Sequence, residues 1–222
     1  MNLQKTGGLA VWLLALTYVA GIALNFTVLD TSSLADPLDR LRFLVEHRWA
    51  FGGFILGAYV TFGCWLVVGA LAIHARFGSR RIDLSAVAMV FAVVWATLLM
   101  GSGLVYLAGL QAAADLIVHD PTGAVALWRL VDVIHQGLGC VVEIPGGLWI
   151  LLTSFHGGKI SGFPRGLVIT GTVVGACGIA SVVPLLFMPA VGLYVISSSI
   201  WFVWMGILLR RSSVTSSERP FP

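Results

Sequence analysis

Apolar positions run along the chain in blocks of roughly twenty residues, the length a helix needs to cross a bilayer. Six such blocks can be read, at about 8–29, 50–73, 85–109, 131–155, 166–187 and 189–209. Glycine, proline and charged residues stand between them and punctuate the helices. The alternating ten-residue segments of a transmembrane barrel are absent. The last two blocks are nearly continuous, and Pro184 and Pro189 around Leu185-Leu186-Phe187-Met188 mark the turn between them. The pattern therefore predicts an all-α, polytopic integral membrane protein. It is a six-transmembrane-helix bundle forming a single domain over 1–211, followed by a Ser- and Pro-rich tail at 212–222 that reads as disordered.

Composition agrees with the pattern. Of 222 residues, 58% are hydrophobic and 10% are charged, where soluble domains carry about 25% charged residues. The net charge of +3 follows from topology and does not point to nucleic acid. With the N-terminus inside, Lys5, Arg76, Arg80, Arg81, Lys159, Arg165, Arg210, Arg211 and Arg219 all fall on the inner side. Arg40, Arg42, Arg48 and Arg129 fall outside, together with Asp30, Asp36, Asp39, Glu46, Asp115, Asp120 and Asp132. This bias and an even number of spans place both termini in the cytoplasm and the chain in the inner (cytoplasmic) membrane. The first block is longer than a signal-peptide core of about 7–15 residues and reads as a retained span. Cys64, Cys140 and Cys177 stand singly in apolar runs and read as free packing thiols.

Between the first two blocks, 30–49 has room for a short helix started by Asp36-Pro37. It lies on the membrane surface or folds back over the bundle. The basic loop at 76–83 reads as a topology determinant. Small and polar residues recur at helical spacing: Thr17, Gly21 and Asn25; Ser102, Tyr106 and Gly109; Gly171, Gly175 and Gly178. They read first as close helix contacts, as do Ser197, Ser198 and Ser199 beside Trp201 and Trp204. A weak internal echo also exists. The run from Cys64-Trp65 to His74 resembles the run from Leu148-Trp149 to His156, and a basic residue follows each.

The candidate chemistry lies in the fourth block. On a continuous helix with about 100° per residue, Gln136, Asp132 and Arg129 fall within about 40° of Glu143. Gly139 and Gly147 share that face. Lipid cannot solvate such a face, so it looks into the bundle. Glu143 would sit near mid-membrane, where a bare charge costs roughly 3 kcal/mol or more. A proton on the carboxyl, or a hydrogen bond from Asn25, Tyr59, Ser102 or Tyr106, would remove that cost. Pro145 and the glycines after it weaken the helix beside Glu143. Arg129 and Asp132, three apart, read as an interfacial ion pair. The polar set is thus Glu143, Gln136, Asp132, Arg129, Asn25 and Tyr106, either a proton or solute site or a tie between helices.

No motif in the sequence fixes a reaction. HExxH, CxxC, nucleotide-loop and GxSxG patterns are all missing. No cofactor or metal is expected, and His47, His119 and His135 are the residues a metal would use if one bound.

At Glu143-Ile-Pro-Gly-Gly-Leu-Trp149, with Gly7-Gly8 ahead of the first block and Trp201-Phe-Val-Trp204 in the last, the chain resembles a family of small polytopic prokaryotic membrane proteins of unknown function. The resemblance implies a multi-pass fold and carries no activity or functional residue with it.

Three readings of function follow. The first is a small solute or proton transporter centred on Glu143, with a small-molecule or ion ligand. The second is a non-catalytic membrane subunit or regulator, in a homo-oligomer or with a membrane partner. The third is a membrane enzyme or cofactor carrier using the outer His and Asp residues. Lipid is the expected surrounding in each.

Overall fold

The computed structural model describes residues 2–27, 30–77, 84–140 and 143–211. The basic loop at 78–83 and the tail at 212–222 lie outside the described residues, as does the side chain of Asn25.

Every element among the described residues is helical. Helix α1 spans Leu3–Thr27, α2 Pro37–Glu46 and α3 Arg48–Ile55. A π-helical turn at Leu56–Thr61 joins α3 to α4, Phe62–Phe77. Helix α5 is Leu84–Leu116 and α6 is Pro121–His135. A second π segment, Gln136–Cys140, follows α6, and α7 begins afresh at Ile144–Gly157. Helix α8, Arg165–Ala180, is separated from α9, Phe187–Arg211, by a 3-10 turn at Pro184–Leu186.

Five of these stretches are long and apolar enough to cross a membrane: Leu3–Leu24, Arg48–Phe77, Leu84–Leu116, Pro121–Gly157 and Phe187–Arg211. The fifth apolar block of the sequence gives only the 16-residue α8. At 1.5 Å per residue it reaches about 24 Å, short of a hydrocarbon core of about 30 Å. Its helix stops at Ala180, four residues before Pro184, through a turn at Ser181.

Two starts follow the Asp-Pro rule. Asp36 takes the Leu38 amide at 2.9 Å, with Pro37 at the first helical position. Asp120 does the same for the Gly123 amide at 2.9 Å, ahead of Pro121. Each carboxylate satisfies an amide that the first turn leaves open. The second cap starts α6 ten residues ahead of the expected 131. The echo between Trp65 and Trp149 extends to the segments just ahead of them. In each a π segment precedes an apolar helix that carries a Trp and ends near a His, but Asp36-Pro37 starts the separate helix α2, whereas Asp120-Pro121 starts the helix that leads directly into its π segment.

The described residues form two compact units. One gathers residues of 1–16, 64–96 and 143–222. Its centre is aromatic: Trp95, Trp149, Trp201, Phe202 and Tyr194 are all buried, and the Trp149 ring lies 6.1 Å from Trp95 and 5.7 Å from Trp201. The Trp201 indole donates to Ser154 Oγ at 2.9 Å, which meets the need of a buried N–H. Helices α7 and α8 meet through glycines. A Cβ on Gly178 would lie 2.7 Å from the Glu143 carbonyl oxygen and 3.0 Å from Gly147 Cα. Gly171 and Gly175 meet Ser154 and Leu151 in the same seam, so the small-residue face of α8 serves packing. The hydroxyls of Ser197, Ser198 and Ser199 return to carbonyls of their own helix at 2.6, 2.6 and 2.7 Å.

The other unit gathers residues of 17–63 and 97–142. Its apolar core is Leu41, Phe51, Ile55, Leu110, Ala113 and Ala124, with Leu44 and Val45 of α2 partly buried against it. Helix α2 thus folds onto α6 and is not left on the surface. Arg42 pairs with Asp39 at 3.6 Å on its exposed face.

Backbone-to-backbone approach makes one glycine irreplaceable and leaves another free. Gly178→Ala must push α7 and α8 apart and is expected to cost about 1–3 kcal/mol. Gly192 has open space where its Cβ would be, and Gly192→Ala is expected to be neutral or stabilising by up to about 1 kcal/mol. Thermal unfolding in detergent, compared for the two variants, measures the difference.

Candidate functional site

The polar residues of the fourth block do not lie on one continuous helix. The stretch Pro121–Gly157, long and apolar enough to cross a membrane, is not one continuous helix: it kinks at Gly139 inside its π segment, and α7 starts afresh at Ile144. Gly139 takes φ 159° and ψ 5°, which ends helical geometry there. Glu143 occupies the N-cap position of α7, and Pro145 lies in its first turn. Proline is favoured at such a start because its missing amide would have no partner there. Pro145 therefore opens a new helix and does not kink an old one. The break dissolves the wheel on which Arg129, Asp132, Gln136 and Glu143 were aligned, and each half of the element builds its own polar cluster.

The Glu143 cluster lies in the first unit. The residue is only 7% exposed. Its side chain makes no capping bond to α7 and is turned toward the Tyr194 hydroxyl and the Trp95 indole. Oε2 is shielded from solvent and takes no hydrogen bond of good geometry. Room for this arrangement comes from Gly146, where a Cβ would overlap the Tyr194 hydroxyl and lie 2.6 Å from Trp95 Cε2. The backbone is secured separately. The Glu143 amide donates to Ser181 Oγ at 3.4 Å, Ser181 donates to the Gly178 carbonyl at 2.7 Å, and the Gly147 amide donates to the Glu143 carbonyl at 2.9 Å. No arginine or lysine pairs with Glu143 among the described residues.

The second cluster centres on His135 in the other unit. Its ring is 3% exposed and stacks on Tyr106 at 3.8 Å and 5°, and Tyr106 stacks in turn on Trp128 at 4.7 Å. Proton positions follow from the partners. Ser102 spends its one hydroxyl hydrogen on the His135 carbonyl at 2.9 Å. It therefore accepts from His135 Nδ1–H at 2.7 Å, and the Ser102 carbonyl at 3.4 Å can also only accept from that atom. Nε2 is left as the lone pair facing the Tyr59 hydroxyl at 3.2 Å. A neutral imidazole satisfies all of these bonds. In this arrangement Ser102 hands no proton to the ring, so the Ser–His contact is not an activated nucleophile.

Nearby, the Tyr106 hydroxyl donates to Asp132 Oδ1 at 2.8 Å, and the Gln136 amide to Oδ2 at 2.6 Å. Asp132 is thus bound to Tyr106 and Gln136 and not to Arg129, which is exposed and in no ion pair among the described residues. Tyr59, Ser102 and Tyr106, expected as partners of Glu143, serve His135 and Asp132. His47 gives its Nδ1 to the Phe43 carbonyl at 2.9 Å. His47, His119 and His135 come together with no set of three metal-ligating residues among the described residues.

Trp95 and Tyr194 were not singled out in the sequence. Their types alone give little signal, since eight Trp and four Tyr are distributed through the apolar blocks. The Asp120-Pro121 pair was the available clue that α6 starts early and carries His135 near its end. Comparison with protein-family models, with curated proteins and with solved structures found no match.

Ser102 alone satisfies both a ring N–H and a backbone carbonyl of His135. Ser102→Ala is expected to cost about 2 kcal/mol. Ser197→Ala, which removes only a return bond to its own helix, is expected to cost about 0.5 kcal/mol or less. Denaturation midpoints of the two variants provide the check.

Proposed function

We propose that the chain is a multi-pass protein of the cytoplasmic membrane that moves protons, or a small solute coupled to them, by way of Glu143. Both termini face the cytoplasm and α8 completes a sixth, shorter crossing. The reading rests on one observation: a buried carboxyl with no counter-charge among the described residues, at a break in an element long and apolar enough to cross a membrane. Discontinuous helices with an ionisable group at the break are the usual form of an ion or substrate site inside a membrane. An unpaired carboxylate in such a place is costly, so the group exchanges its charge with a proton or a small cation. Tyr194 and Trp95 are neutral donors that can bond either form of it without adding a fixed charge.

The close packing of Trp95 and Tyr194 favours a second reading, a non-catalytic membrane subunit in which the acid ties helices together. One variant separates the two. In proteoliposomes under a pH gradient, the wild-type protein is expected to carry protons above the level of empty vesicles, and Glu143→Gln to fall to that level. Equal flux in both proteins rejects the central role of Glu143. Absence of flux in both, with reduced thermal stability of the variant, supports the structural reading.

A further inference from the structure

Two of the long apolar stretches meet end to end around a groove in the second unit. Arg48 opens the 30-residue stretch Arg48–Phe77, and the 33-residue stretch Leu84–Leu116 closes beside it. At 1.5 Å per residue these are about 45 and 50 Å long, against about 40–45 Å for a bilayer with its headgroups. In a membrane, both ends therefore stand at the level of the lipid headgroups. The groove has a volume of about 290 Å³ and is lined by Arg48 and Trp49 on one side and by Leu107, Leu110, Gln111 and Ala114 of α5 on the other.

Its two rims carry opposite chemistry. Arg48 makes no ion pair or hydrogen bond to protein among the described residues, and its guanidinium lies 5.8 Å from the centre of the Trp49 ring. Trp49 is 83% exposed, and no protein group takes its indole N–H among the described residues. Trp201, by contrast, gives its indole hydrogen to Ser154. Across the groove, the Gln111 amide donates to Asp115 Oδ1 at 3.0 Å. That bond fixes the Gln111 side chain and leaves its carbonyl and Asp115 Oδ2 as acceptors. One rim thus offers donors and a positive charge, the other acceptors and a negative charge. Leu107, one turn from Gln111 toward the middle of α5, continues the groove as an apolar wall.

We propose that this groove binds a phospholipid with a zwitterionic headgroup, its phosphate on Arg48 and Trp49 and its primary ammonium on Gln111 and Asp115, as in a phosphatidylethanolamine. A guanidinium holds a phosphate through two parallel N–H bonds, and the indole supplies a third donor. A primary ammonium has three hydrogens for the Gln111 carbonyl and the Asp115 carboxylate; a trimethylated ammonium has none. An anionic headgroup without the amine meets Asp115 with like charge. The occupant is the lipid and not its free headgroup, because an acyl chain gains by lying against Leu107. The site rests on the membrane reading and stands whether or not Glu143 conducts.

Native mass spectrometry of the full-length protein, delipidated in detergent and titrated with phosphatidylethanolamine, phosphatidylglycerol or phosphatidylcholine of the same acyl chains, tests this. One phosphatidylethanolamine is expected to be held about tenfold more tightly than either other lipid, the scale of one charge-assisted contact. Arg48→Gln should weaken its binding about tenfold. Asp115→Asn, which keeps the shape and removes the charge, should bring phosphatidylethanolamine and phosphatidylcholine level. Arg42→Gln, at a cation already paired with Asp39, should change nothing. Free phosphoethanolamine should not displace the lipid. The groove is rejected if the three lipids bind alike, if Arg48→Gln and Asp115→Asn behave as the wild type, or if free phosphoethanolamine displaces the lipid at equal concentration. Failure to bind any lipid rejects the membrane reading with it.

Discussion

A backbone that breaks inside an apolar surrounding must find partners for the groups it frees, because no water is there to take them. The break after Gly139 sets this demand, and two buried serines meet it. Ser102 donates to the His135 carbonyl at the end of α6, and Ser181 accepts from the Glu143 amide at the start of α7. Each serine is fixed by a second bond, Ser102 from the His135 ring and Ser181 to Gly178. The two polar clusters are built outward from these stitches.

Their characters differ for a physical reason. Around His135, donors and acceptors match one for one: a ring N–H on a hydroxyl, a phenol on a lone pair, and a carboxylate shared by a phenol and an amide. Such a network holds one geometry strongly. Around Glu143 the match is incomplete, with one carboxyl oxygen shielded and short of a good bond. Glycine makes this crowding feasible. Gly146 admits Trp95 and Tyr194 to the carboxyl, and Gly178 admits the Glu143 carbonyl to the α8 seam.

The all-helical class and the positions of four helices long and apolar enough to cross a membrane were legible because hydrophobic length is a one-dimensional property. The Asp36-Pro37 start was legible as well, since an N-cap depends on neighbours two or three residues away. The same rule at Asp120-Pro121 would have lengthened the fourth element toward its N-terminus. Block 166–187 was legible only as an apolar run: composition supplied enough apolar residues, but the helix in it ends at Ala180.

The sequence by itself placed Glu143, Pro145 and their glycines in one apolar stretch and marked the stretch as unusual. Only the tertiary structure decided that the stretch is two half-elements, because a helical wheel assumes the continuity that Gly139 removes. It also decided the partners. Tyr59, Ser102 and Tyr106 could have met either ionisable group on grounds of residue type, and packing gave them to His135 and Asp132. Trp95 and Tyr194 came to Glu143 from residues 48 and 51 positions away, a distance over which hydrophobic pattern carries no information about contact.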